Sequence, residues 1–323
     1  MITVAMALGP IVFFAMYNTG LQANSVMATN GIEAVGWRAD IIRMIGLGFN
    51  ATNPIHNFFH GFMWFFPVFL VTQMAGGFCE LIFSAVRKHE INEGFLVTGL
   101  LYPLILPPTI PLWQVAVGII FGVVIGKEVF GGTGMNLLNP ALTARMFLYI
   151  GYTPQMSGEQ CWTPIAEGVA TVDGYSGATT LSNVAAASAK SAGWNENLFS
   201  WKTSMIDSII GTIPGSIGET SVIAILIGAV ILIAAGIGSW KIMLSTVLGG
   251  LFMGWVMNLG GEGNAWTEMP AVNHLIIGGF MFGAVFMTTD PVSAAQTERG
   301  KWIYGFMIGV IGLIIRIANP AYP

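Results

Sequence analysis

The sequence predicts an all-α, polytopic integral membrane protein, and three observations carry that prediction. Only 9% of the 323 residues are charged, against roughly 25% in ordinary soluble domains. Hydrophobic residues make up 54%, and the mean hydropathy is +0.71. Apolar stretches run nearly from end to end, and a soluble chain of this balance would expose large apolar patches. The 12 Lys and Arg against 16 Asp and Glu leave a net charge of −4, which argues against nucleic-acid binding. Hydrophobicity of this degree also excludes intrinsic disorder. Cys79 and Cys161 form no CxxC pair, so this chain by itself offers no four-thiolate iron–sulfur site.

The elements follow from the apolar runs, since a helix crossing hydrocarbon needs about 20 mostly apolar residues. Residues 1–7 lack the basic start of a secretory signal, and Thr3–Gly20 reads as an opening span. Gly61–Val86 is the next, interrupted by Glu80. Gly94–Gly126 is charge-free but roughly 50 Å long as one helix. Pro103, Pro107, Pro108 and Pro111 split it into two helices around a tight turn. Ala141–Gly151 is a shorter apolar piece, and the polar loop Tyr152–Thr220 follows. Ser221–Ser239, Ile242–Leu259, His274–Thr289 and Trp302–Ala318 complete the candidates. The expected division is therefore a first membrane half at 1–151, a loop at 152–220 and a second half at 221–323.

Alternation of the spans puts Arg87, Lys88, Lys127, Arg145, Lys241, Arg299 and Lys301 on one side. All lie on short connections, so that side is expected to be cytoplasmic. Arg38, Arg43, Arg316 and the loop Tyr152–Thr220 then face the opposite side. The two halves also look alike. Lys127-Glu128 leads through Gly131-Gly132-Thr133-Gly134 to Asn139-Pro140, and Phe286-Met287-Thr288-Thr289 leads to Asp290-Pro291. Paired polar, Pro-containing breaks of this kind point to inverted repeats with a site near their interface. Two five-helix halves make about ten spans, and the odd number present implies a last helix missing from this chain.

Asp173-Gly174-Tyr175-Ser176-Gly177-Ala178-Thr179 is the most informative segment. Its composition alone fits a surface turn. Its order, Asp-x-x-Ser-Gly-Ala-Thr, resembles the acceptor motif on which a flavin transferase attaches FMN through a phosphoester to threonine. The acceptor would be Thr179, with Asp173, Ser176, Gly177 and Ala178 as the rest of the motif. Small neighbours let a phosphate approach the hydroxyl; Thr180 lies outside the register.

Further stretches carry the same resemblance: Arg87–Phe95, Pro107–Gln114, Lys127–Gly134, Ile213–Glu219 and Thr289–Ser293. With them the chain resembles the B subunits of Na+-translocating NADH:quinone reductases across essentially its whole length. The resemblance implies two inverted five-helix repeats similar to urea transporters, in a bacterial inner membrane, with the flavin-attachment loop periplasmic. It implies covalent FMN on Thr179, noncovalent riboflavin, ubiquinone as substrate and Na+ as the transported ion. It also implies partner subunits, including an NADH-oxidising flavin and iron–sulfur subunit and a second FMN-bearing subunit. No Gly-x-Gly-x-x-Gly dinucleotide fingerprint is present in this chain. Two alternatives stand beside this reading: the D component of an Rnf-type electron-transport complex, and a non-redox urea-transporter-like channel. The family's polar N-terminal extension and last helix have no counterpart here.

Single residues then take expected roles. In the family an Asn-x-x-Asn-Pro segment lines the riboflavin site, which points to Asn136 and Asn139; helix packing is the alternative for this Gly-rich break. It lacks the Gly-Lys-Ser/Thr ending of a phosphate loop. The resemblance makes Gly76 and Gly77 part of the quinone pocket. Glu80 is a carboxylate inside an apolar span, which is costly and marks a functional site by default. Arg87 is too far along the helix for a direct pair, which leaves Na+ as a partner, and the family reading places Glu80 on a Na+ uptake route. Snorkelling toward Arg87 is the other reading. Asp290 is a second ion-pathway candidate, with capping of a broken helix end as its alternative. His56 and His60 are spaced i, i+4 but lie in an aromatic boundary stretch suited to interfacial anchoring, so no metal is expected. No side chain is expected to be catalytic, because the redox chemistry belongs to the flavins.

Overall fold

The computed structural model describes residues 2–88, 94–156, 162–165, 177–198, 204–260 and 263–318. Among these residues it is helical without a strand. Helix α1 is Ile2–Asn30, and a short α2, Trp37–Met44, leads to α3, Pro54–Arg87. Helices α4, Gly94–Leu104, and α5, Leu112–Gly126, follow, then α6, Pro140–Gly151, and α7, Thr153–Met156. The connecting region holds α8, Thr180–Ala189, and α9, Met205–Ile210. The second half has α10, Val222–Ala234, α11, Trp240–Asn258, α12, Ala265–Glu268, and α13, Ala271–Ile276. It ends with α14, Phe280–Phe282, a π-turn at Gly283–Met287, and α15, Glu298–Ala318.

Five helical stretches, Ile2–Asn30, Pro54–Arg87, Leu112–Phe130, Trp240–Asn258 and Glu298–Ala318, are long and apolar enough to cross a membrane. They expose Phe13, Met74, Phe78, Trp255 and Ile303, as helices facing lipid do and helices facing water rarely do. Helix α1 packs along α3 and α10, α5 lies between α3 and α6, and α11 packs along α15. The α1–α3 crossing is a backbone contact: a Cβ on Gly20 would collide with the Asn57 carbonyl, and one on Gly61 with that of Met16. Small residues permit this approach where no hydrophobic force drives helices together.

Two expected spans resolve differently. Gly94–Gly126 divides as the prolines required, with residues 105–111 outside helix. Ile105 and Leu106 are fully buried there, so their backbone needs partners. The Leu104 carbonyl accepts from Gly218 N at 2.7 Å and that of Leu106 from Ile217 N at 3.0 Å. His274–Thr289, expected as one span, is instead broken. Helix α13 stops at Ile276, Gly278 takes φ +75°, and the chain re-enters helix only to widen into the π-turn. The glycine pair Gly278-Gly279 removes the helical preference at its centre.

Arg145 also departs from its expected position. It lies inside α6, not on a cytoplasmic connection, and its guanidinium pairs with Glu219 at 2.7 Å. Glu219 belongs to the loop expected on the opposite side, so Arg145 drops out of the charge count that set the orientation.

Candidate functional site

Two cavities converge on the paired breaks. The larger, of about 790 Å³, is walled by α6, the segment around Thr179, the 213–220 turn, the α13–α14 break and α15. The smaller, of about 300 Å³, lies among Thr98, Lys127, Thr133, Asn136 and Asp290. Asn139 lines both, and the chain from Gly283 to Val292 runs between them. Both volumes fall within the usual range of ligand pockets.

Thr179 is the N-cap of α8, and its hydroxyl accepts from Ser182 N at 3.3 Å. It is half-buried on the wall of the larger cavity, which Thr180 also lines although only 2% exposed. Gly177 and Ala178 precede it outside any helix, and Asp173 and Ser176 lie outside the described residues. A helix N-terminus favours an anion. The cavity's charged residues are Arg145, Glu219 and Arg316, so a cationic, mostly apolar chamber adjoins the hydroxyl.

The asparagines sit where the breaks meet. Asn139 Oδ1 accepts from Ala141 N at 3.0 Å and Leu142 N at 3.3 Å, capping α6, while its Nδ2 donates to Asp290 Oδ2 at 3.3 Å. Asn136 Nδ2 donates to the Leu138 carbonyl at 3.0 Å. Asp290 further accepts from Val292 N and the Ser293 hydroxyl, both at 3.1 Å, so it also closes its own turn. The glycines before Asn136 serve the backbone: Gly131, Gly132 and Gly134 all take positive φ, which other residues rarely adopt.

Glu80 is not left without a protein cation. Lys127 Nζ donates to Glu80 Oε1, and the same ammonium lies 3.8 Å from Glu128 Oε1. Arg87 then reaches Glu128, at 3.3 Å to Oε2 and 2.6 Å to its carbonyl. Glu80, Lys127 and Glu128 are buried at 4%, 4% and 1% exposure, where an isolated charge is costly. Arg87 is distant from Glu80, as the helix spacing required. The cation that meets Glu80 comes from another element, which spacing along one helix could not reveal.

Gly76 and Gly77 line neither cavity. A Cβ on Gly76 would strike the Phe95 ring and lie 3.0 Å from Ile119 Cγ1, so Phe95 fills the approach the glycine leaves. Gly77 has the Phe95 ring 3.9 Å from the same position. His60 is buried and faces Asn24 Oδ1 at 2.7 Å. His56 takes Asn50 N on its Nδ1 at 3.3 Å. Among the described residues no group of three or more His, Cys, Asp and Glu gathers to hold a metal.

Sequence reasoning missed the partners: Lys127 and Glu128 served as charge, repeat and resemblance markers without a role at the site, and Arg145, Glu219 and Arg316 had none there either. A signal did exist. Each is a charge inside or at the edge of an apolar run, and such charges pair inside the bundle.

Residues 1–323 match the family described as NQR2, RnfD, RnfE. The chain belongs to this family. It is 50% identical to the B subunit of the Na(+)-translocating NADH-quinone reductase of Stutzerimonas stutzeri (strain A1501), over 100% of this chain and 78% of that protein. Identity is 49% to the same-named protein of Chromohalobacter salexigens, over 100% and 75% respectively. It is 47% to that of Azotobacter vinelandii (strain DJ), over 100% and 78%. As a member of the NQR2, RnfD, RnfE family, the chain sets its two Pro-containing breaks against one another across a pair of cavities.

Proposed function

We propose that this chain is a redox-active membrane subunit of a bacterial Na+-translocating NADH–quinone reductase, with flavin esterified to Thr179 and ubiquinone as the acceptor. The observation that carries the reading is the position of Thr179. Both adjacent threonines line the larger cavity, but the one in the motif register is half-buried whereas its neighbour is only 2% exposed. Identity near 50% with B subunits across the whole chain favours this reading over an Rnf-type component or a passive channel.

The donor chemistry of the larger cavity fits FMN. The Thr179 hydroxyl accepts the phosphate, the α8 N-terminus and the guanidiniums favour its charge, and the apolar walls suit a flat ring. Asn136 and Asn139 offer amide donors and acceptors to the polar edge of a riboflavin in the smaller cavity. Bound flavins would supply one- and two-electron redox chemistry that the side chains do not. Glu80 and Asp290 present hard oxygen ligands of the kind Na+ takes, and a cation reaching Glu80 has to displace the Lys127 ammonium. Contact of a quinone with Gly76 requires the Phe95 ring to move; Gly77 is the more open of the two. The loop around Thr179 faces the periplasm in this reading. NADH oxidation and electron delivery fall to partner subunits, one carrying flavin and iron–sulfur centres and another a second FMN.

In-gel fluorescence of denatured protein tests the core of the reading. The parent and Thr180→Val are expected to retain flavin fluorescence, and Thr179→Val to lose it. Undiminished fluorescence in Thr179→Val overturns the assignment.

A further inference from the structure

The two cavities differ in charge. The larger is lined by Arg145, Arg316 and Glu219, so two guanidiniums face one carboxylate and one positive charge remains. The smaller is lined by Lys127 and Asp290, and its one ammonium is already held by Glu80, so no cation is left over there. A flavin esterified through its phosphate to threonine keeps one ionisable phosphate oxygen and one negative charge, whereas riboflavin carries no phosphate. The excess charge of the larger cavity therefore matches the ester.

The excess sits on Arg316. Arg145 is paired with Glu219 at 2.7 Å. Arg316, in the last turn of α15, makes no ion pair among the described residues, and its Nη1 donates to the His274 carbonyl at 2.6 Å. Its Nη2 lies beside Gly278, 3.5 Å from where a Cβ would stand. Leu181, two residues beyond Thr179, packs on the same glycine. The start of α8 and the guanidinium thus meet at the same point of one glycine, and Arg316 and Thr179 line the same cavity.

We propose that Arg316 is the counter-cation of the phosphodiester at Thr179 and makes the larger cavity selective for a phosphate-bearing flavin, leaving the smaller cavity, which has no spare cation, to a phosphate-free one. The proposal rests on flavin attachment at Thr179. A guanidinium suits this role because its planar fork offers several donors to phosphate oxygens.

The test compares the parent, Arg316→Gln and Arg316→Lys, each as the full chain in its complex and produced with the flavin transferase. Glutamine can still donate to the His274 carbonyl, so it removes the charge while keeping the structural hydrogen bond. Two quantities are read: covalent flavin per chain, and the phosphorus NMR shift of the ester in folded against denatured protein. Arg316→Gln is expected to carry about tenfold less flavin, the worth of one charge-assisted hydrogen bond. What ester it does carry should lack the folded-state shift, and Arg316→Lys should fall between. Parental yield and parental shift in Arg316→Gln overturn the proposal. Should that variant fail to reach the membrane, Arg316→Lys decides: an altered shift supports the proposal and the parental shift refutes it. Absence of covalent flavin from the parent itself overturns the Thr179 reading, a result distinct from either.

Discussion

Asn139 and Asp290, 151 residues apart in sequence, share a hydrogen bond in which Asn139 Nδ2 donates to Asp290 Oδ2 over 3.3 Å. Each stands immediately before a proline at the break of its own half, so the bond ties the two breaks together. Asn139 Oδ1 meanwhile caps α6, and the amide is used at both ends.

Each substitution removes the shared bond together with a local one: Asp290→Ala also loses the Val292 and Ser293 contacts of its own turn, and Asn139→Ala also loses the α6 cap. A double-mutant cycle on thermal unfolding should return a coupling of about 0.5–1.5 kcal/mol. Additive effects of the two substitutions would show that the breaks are held independently.

The Glu80–Lys127 pair predicts rescue. Lys127→Met leaves two buried carboxylates facing one another and should cost about 3–5 kcal/mol. Combining it with Glu80→Gln should restore much of that loss, because the remaining Glu128 keeps Arg87. The Na+ concentration for half-maximal quinone reduction, followed in Glu80→Gln alone, separates the ion role from the structural one. If only stability changes, Glu80 serves packing.

The neighbouring glycines make a contrasting pair. Gly76→Ala presses a methyl into Phe95 and Ile119, an overpacking worth about 1–3 kcal/mol; adding Phe95→Leu should relieve it. Gly77→Ala meets the Phe95 ring only at ordinary contact distance and should fold normally. A raised KM for quinone in Gly77→Ala without loss of stability would tie this surface to quinone, and an unchanged KM would separate them.

Sidedness is open to chemical labelling at Ala189. Ser188 is engaged with Asn264 at 2.8 Å, but Ala189 beside it is exposed at the end of α8. Ala189→Cys should react with an impermeant thiol reagent in spheroplasts. Reaction only in inverted vesicles would reverse the orientation.

Asp207 provides a pH-dependent contact outside the membrane spans. The Ser204 hydroxyl donates to its carboxylate at 2.8 Å, with further bonds from Ser204 N and the Thr212 hydroxyl. These hold its pKa below the ordinary carboxylate value, the Ser204 hydroxyl foremost, against burial, which pushes the other way. A depressed pKa contributes stability above the unfolded value of about 3.9 that is lost as pH falls through the lower folded value. Amides 208–212 should therefore exchange faster in Asp207→Asn at neutral pH, and at the parental rate once the parent's carboxyl is protonated. A difference that persists there would place the effect elsewhere.

The apolar runs determined the all-helical, polytopic class and most helix positions, because lipid demands internally satisfied backbone and tolerates few charges. Pro103 through Pro111 marked the division of α4 from α5, since proline removes a donor and restricts the residue before it. Asn139-Pro140 and Asp290-Pro291 were legible as corresponding breaks for the same local reason. Tertiary structure decided what those breaks touch. The Asn139–Asp290 bond, the Lys127 cation on Glu80, the Phe95 ring over Gly76 and the meeting of Arg145 with Glu219 all join residues on different elements. Periodicity along one helix carries no record of the facing helix, and in a membrane bundle a buried charge takes whichever opposite charge the packing brings within reach.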